Sequence, residues 1–108
     1  MQRILVTFVL AGALNAVAWA VDAQDVEAGR DVAREVCRPC HVVTTDQRSP
    51  RVFVIGPDFK DVANTSGTTA TSLRVFLTTS HPKMPNLILA PQQLADVIAY
   101  ILSLRDRP

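Results

Sequence analysis

The apolar residues of this chain form one nearly unbroken run followed by a series of stripes. Ile4 to Leu14 is apolar apart from Thr7 and Gly12, with Met1-Gln2-Arg3 ahead of it and Ala18-Trp19-Ala20 behind it. A basic start, an apolar run of this length and a small-x-small site are the layout of an export signal. The expected cut follows Ala20, with Ala23 as the second position, so residues 1–20 read as a signal peptide and 24–108 as the folded domain. The competing reading is an uncleaved membrane anchor. Ile4 to Val21 barely reaches spanning length, however, and Asn15 interrupts it.

Beyond the signal the apolar positions take up a helical period. Val26, Gly29, Ala33, Val36 and Cys37 share one face, while Glu27, Arg30, Asp31, Arg34 and Glu35 share the other, so the pattern predicts a helix over 25–36. Asp25 is a suitable N-cap, and Glu27 puts acid in the first turn. Residues 41–57, with Thr44, Thr45, Ser49 and Pro50, read as loop. Within them Val52 to Ile55 has strand propensity but no second strand to pair with, so it is expected to lie extended over an apolar surface. A short helix is expected over 58–63, broken by Asn64-Thr65-Ser66-Gly67. Another spans 69–79, with Leu73, Phe76 and Leu77 at i, i+3 and i+4 and threonines that lower its propensity. A proline-punctuated loop covers 81–90. The last helix, 91–104, is the clearest: Leu94, Val97, Ile98, Ile101 and Leu102 match the amphipathic template, and Pro91 suits the first helical position, although Ala90 is a poor cap.

Size and charge narrow the classes. Residues 21–108 are one domain's worth, and a chain this short supports only a thin apolar core unless a staple or a large cofactor completes it. The only Trp, Trp19, lies in the signal. The 11 Lys+Arg face 10 Asp+Glu, and loss of Arg3 with the signal makes the two signs equal. That balance gives no footprint for nucleic acid and little long-range steering.

The chemistry is concentrated in Cys37-Arg38-Pro39-Cys40-His41, which spells C-x-x-C-H, the attachment signature of a c-type haem. Two thiols at this spacing suit the two vinyl groups of one porphyrin, and the histidine directly after them is held beneath the iron as proximal ligand. Both cysteines of the chain lie in the motif, so none remains for a structural disulfide. A thiol–disulfide protein also uses C-x-x-C, but the chain lacks the βαβ context of such folds, and His41 would then have no role.

The motif closes a first helix, a lone downstream methionine sits between prolines, and an apolar helix ends the chain. In these features, from about Asp25 to Leu104, the chain resembles the small class I c-type cytochromes. The resemblance implies an all-α fold: three to five short helices wrapped around one haem, with the first and last crossing. Gly29 and Tyr100 match the family's glycine–aromatic crossing, although the aromatic residue usually found a few positions after that glycine is replaced by the region of Val32 and Ala33. Gly56-Pro57 matches the segment whose proline carbonyl accepts a hydrogen bond from the proximal histidine, here Pro57 from His41. Met84 matches the distal sulfur ligand, with Pro82 and Pro85 stiffening its loop. His81, the only other histidine, is the rival: it is either an alternative iron ligand that would lower the potential or a surface loop residue. Asn64, Ser66, Thr68 and Thr69 are candidates to hold the haem propionates.

By the same resemblance the chain is expected to be an electron-transfer protein rather than an enzyme: a periplasmic one-electron carrier with one covalent haem c. The alternatives are a haem sensor with an open distal site, a haem subunit of a dehydrogenase or oxidase, and, for location, attachment to the membrane by the uncleaved N-terminus. Unidentified redox proteins are the implied partners, met as a monomer or within a redox complex. Arg38 and Lys83 are expected near the exposed haem edge as docking residues, and Arg48, Arg51 and Lys60 would extend a basic rim.

Overall fold

In the computed structural model, which describes residues 24–47, 55–84 and 87–107, the elements in chain order are all helical. They are α1 (Val26–Val32), which continues as a π-helical turn (Ala33–Cys37), α2 (Phe59–Asn64), α3 (Ala70–Leu77) and α4 (Pro91–Ser103). Among the described residues there is no strand, and the single β-bridge pairs His81 with Met84. The all-α class expected from the sequence is the one observed. Residues 1–23, on which the signal and anchor readings rest, lie outside the described residues, as do 48–54, which hold Arg48, Arg51 and most of the Val52–Ile55 segment. No helix among the described residues is long and apolar enough to cross a membrane.

The first helix begins as its cap dictates: the Asp25 carboxylate accepts the Ala28 N–H at 3.0 Å. It then departs from a regular helix. From Ala33 the backbone widens to i→i+5 bonding, with the Arg38 N–H donating to the Ala33 carbonyl at 3.0 Å. Such a turn reorients the side chains beyond it, and here they are the attachment motif. Gly29, Ala33 and Cys37 are buried as the stripe predicts, and Val32 joins them, whereas Val36 is half-buried and Val26 is 38% exposed.

α4 is the element on which the others rest, with α1 its main neighbour and α2 and α3 also packed against it. Its stripe is buried at Leu94, Val97, Ile98 and Ile101, and Tyr100 is also buried. The weak cap at Ala90 is remedied from inside the helix, because the Gln93 side-chain carbonyl accepts the Ala90 N–H at 3.0 Å. The first and last helices cross at Gly29. A Cβ on Gly29 would lie 1.9 Å from the Asp96 carbonyl oxygen and 2.9 Å from Tyr100 Cβ, so only glycine permits this approach.

Two polar side chains on α4 reinforce the crossing. Buried Asp96 accepts the Asp25 N–H at 3.0 Å and the Gln92 amide at 2.8 Å. The Tyr100 hydroxyl donates to the Val43 carbonyl, beyond the attachment motif. The chain after α4 returns to α2. Arg105 donates to the carbonyls of Ala63 and Thr68, the Asp106 N–H donates to the Asn64 side chain, and Lys60 pairs with Asp106 at 3.2 Å. The Lys60–Asp106 pair is exposed to solvent and sets an acidic group beside this lysine.

Gly29→Ala tests the crossing. Its new methyl group meets backbone, which cannot swing aside, so the substitution is expected to cost about 3 kcal/mol, the upper part of the overpacking range. Chemical denaturation should show this as a lowered midpoint, and an unchanged midpoint would mean that the helices do not meet as described.

Candidate functional site

The attachment segment is fixed by backbone hydrogen bonds on both sides. After the π-helical turn the Cys37 carbonyl accepts from both Cys40 N–H (3.1 Å) and His41 N–H (3.0 Å), which closes the chain into a tight turn. Residues 56–59 then pair back onto it, with the Gly56 N–H on the Cys40 carbonyl and the Phe59 N–H on the Val42 carbonyl, each at 2.9 Å. This pairing brings Pro57 beneath His41.

His41 is held from three directions. Its Nδ1 lies 2.7 Å from the Pro57 carbonyl oxygen, which can only accept, so Nδ1 is the donor and the lone pair of the neutral ring lies on Nε2. Phe59 packs against the ring at a centroid distance of 5.3 Å, tilted by 53°. Gly56 supplies the space: a Cβ there would sit 2.2 Å from His41 Cε1. The role of the glycine in Gly56-Pro57 is thus to admit the imidazole rather than to make a turn.

Cys37, Cys40, His41 and Met84 all line one cavity of about 570 Å³, in the size range of sites for a single organic ligand. Its walls are mostly apolar, with Leu73, Val97 and Ile101 at the core side. Ile55 and Phe76 also line it and remain 73% and 45% exposed, large apolar surfaces that a flat hydrophobic ligand would cover. Phe76, placed in the core stripe by its spacing, thus faces the cavity instead. Both thiols are free. Burial pushes the Cys37 thiol up to about 11, so it is not the thiolate that disulfide exchange requires at neutral pH. These residues fit a haem: two free thiols, an imidazole nitrogen with an available lone pair and a thioether sulfur are set in an apolar slot.

The remaining sequence candidates divide. Lys83 reaches the cavity rim, but Arg38 lies in a separate polar cleft with Arg34, Thr44, Asp46 and Gln47. In that cleft a hydrogen bond from Thr44, one from the Asp46 backbone and the nearby Arg34 and Arg30 hold the Asp46 carboxyl below its usual range, so its negative charge offsets part of the local positive charge. Of the propionate candidates only Thr68 lines the cavity, and its hydroxyl donates to the Val62 carbonyl. Asn64 is occupied by Lys60 and Asp106, and Thr69 caps α3 by accepting the Ser72 N–H. Thr65 and Ser72 line the cavity without having been singled out in the sequence. A hydroxyl in a loop or at a helix start carries no sequence mark that separates a pocket wall from a cap. His81, expected either as a rival iron ligand or as a surface loop residue, is half-exposed. It lines the cavity with its ring stacked on Phe76.

No protein-family model matches the chain, and no solved structure matches it. The chain is similar to cytochrome c-552 of Bradyrhizobium diazoefficiens, with 39% identity over 83 residues that cover 77% of this chain and 78% of the relative. That likeness extends over most of both proteins, and it accords with the helical fold and the apolar slot that holds the motif: the chain belongs to the small c-type cytochromes, electron-transfer proteins that carry haem c.

Proposed function

We propose that the chain is an exported one-electron carrier with a single haem, bound covalently through Cys37 and Cys40 and ligated by His41 and Met84. The observation that carries this reading is the convergence of all four side chains on one apolar cavity, with His41 Nδ1 engaged by Pro57. When bound, the haem supplies reversible one-electron chemistry at its iron.

The chain's own residues do the rest. The Pro57 carbonyl orients the His41 ring and raises its basicity, leaving Nε2 as the donor on one side. The Met84 thioether, a neutral and soft donor, favours the ferrous state and so a higher potential. His41 and Met84 would hold the iron of a bound haem from the protein and leave no position for a substrate, so an electron could be gained or lost with little ligand rearrangement, as an electron carrier requires. The apolar walls exclude water and lower the dielectric around the iron, which also raises the potential. Export to the periplasm is supported by the sequence of residues 1–20, and two cysteines left free in the fold agree with thioether attachment.

Lys83 at the cavity rim is proposed as a docking contact for an acidic patch on a redox partner, and Arg38, in the separate cleft with Asp46, as a second one. The protein as a whole is nearly neutral, so any attraction is local. Electron-transfer rates with such a partner are expected to fall several-fold between about 10 mM and 0.15 M salt, as the screening length contracts. Rates independent of salt would remove the docking contacts from the account.

Met84→Ala tests the ligand set. The variant is expected to keep one covalent haem by mass spectrometry, to bind carbon monoxide in the ferrous state, and to titrate lower by on the order of 100 mV, within the ~0.8 V that axial ligands span. Cys37→Ser and Cys40→Ser should lower covalent loading. An unaltered potential with no gas binding in Met84→Ala would take Met84 off the iron.

A further inference from the structure

α3 ends without the glycine that commonly closes a helix. Its terminal carbonyls are satisfied by residues just beyond it. The Thr78 hydroxyl donates to the Arg74 carbonyl at 2.7 Å, and the Thr79 hydroxyl to the Val75 carbonyl at 2.6 Å. The Phe76 carbonyl takes the Thr79 N–H at 3.3 Å and, five residues on, the Nε2 of His81 at 3.2 Å. The same imidazole stacks on the Phe76 ring, with centroids 3.9 Å apart and planes 17° from parallel. His81 thus grips one residue twice, by its backbone and by its side chain.

The distal ligand of the proposed function lies one short turn beyond His81. His81-Pro82-Lys83-Met84 is a tight turn whose first and last residues are bridged in antiparallel fashion, with proline at the position where its fixed φ suits a turn. Few backbone freedoms remain between the imidazole and Met84. Fixing His81 on α3, which itself packs on α4, therefore fixes where the Met84 segment starts.

We infer that His81 is a positioning residue for Met84. Clasped to Phe76 at the end of α3, it anchors the 81–84 turn, and its Nε2 is engaged by the Phe76 carbonyl. The inference rests on ligation of the iron by Met84. It explains how a chain with a second histidine three residues from its methionine commits to sulfur. Release of the clasp would both loosen the Met84 segment and free a competing nitrogen donor.

The test uses exported holoprotein and added imidazole, which competes with Met84 for ferric iron. In His81→Ala both halves of the clasp are lost, and imidazole is expected to bind about tenfold more tightly, roughly the worth of one hydrogen bond or ring stack. Covalent haem content should be unchanged, which separates this effect from a general failure to fold. His81→Phe keeps a ring over Phe76 but no donor, and should recover part of the loss. Imidazole affinity within twofold of wild type in His81→Ala, or weaker competition by Met84 in His81→Phe than in His81→Ala, would overturn the inference. Its failure is distinct from failure of the ligand assignment. Wild-type protein without a sulfur-to-iron charge-transfer band would refute ligation by Met84 directly, whereas a wild type with that band and an indifferent His81→Ala refutes the clasp alone.

Discussion

Backbone meets backbone where Gly29 of α1 lies against the Asp96 carbonyl of α4, and the cofactor site depends on that approach. α1 delivers the attachment motif at its end, so whatever fixes α1 fixes both thiols. α4 holds the segment from both sides. Asp96 takes the N–H of Asp25 just before the helix, and Tyr100 reaches the carbonyl of Val43 just after His41. Everything from the start of α1 to the first residues beyond the motif is therefore referenced to one helix, which among the described elements has the most buried residues.

The two sides of the cavity are built by different means. On the His41 side the backbone does the work: residues 56–59 pair with 40–42, a glycine makes room for the ring, and a proline carbonyl accepts a hydrogen bond from its Nδ1. On the Met84 side a side chain does it, through the grip of His81 on Phe76 and a short bridged turn. Between them the described residues leave an apolar slot, with Ile55 and Phe76 exposed along it. For a domain of this size such a slot is costly unless a hydrophobic ligand occupies it. A haem seated there would be both the redox centre and part of the core.

The sequence disclosed what is periodic or short-range. The stripe of α4, the Asp25 cap and the C-x-x-C-H motif each arise from neighbours within a few turns, and each can be read one segment at a time. The crossing of Gly29 and Tyr100 and the Pro57–His41 contact came through family resemblance, because no local pattern relates residues so far apart. Other features were not legible at all. The π-helical turn before Cys37 has no composition of its own. No local pattern on α4 marks Asp96 for its buried bonds to Asp25 and Gln92. Phe76 matched the core spacing, but a cavity lies where the core would have continued. His81 could be weighed only as ligand or bystander, since its partner is a carbonyl exposed by the way α3 happens to end.

The measurement that bears most directly on the account is the optical spectrum of the exported protein, oxidised and reduced, from a host able to attach c-type haem. Iron held between His41 and Met84 predicts a low-spin c-type spectrum in both states and, in the oxidised protein, the weak sulfur-to-iron charge-transfer band. A haem protein that lacks that band, or a chain that emerges with no haem attached, would contradict it.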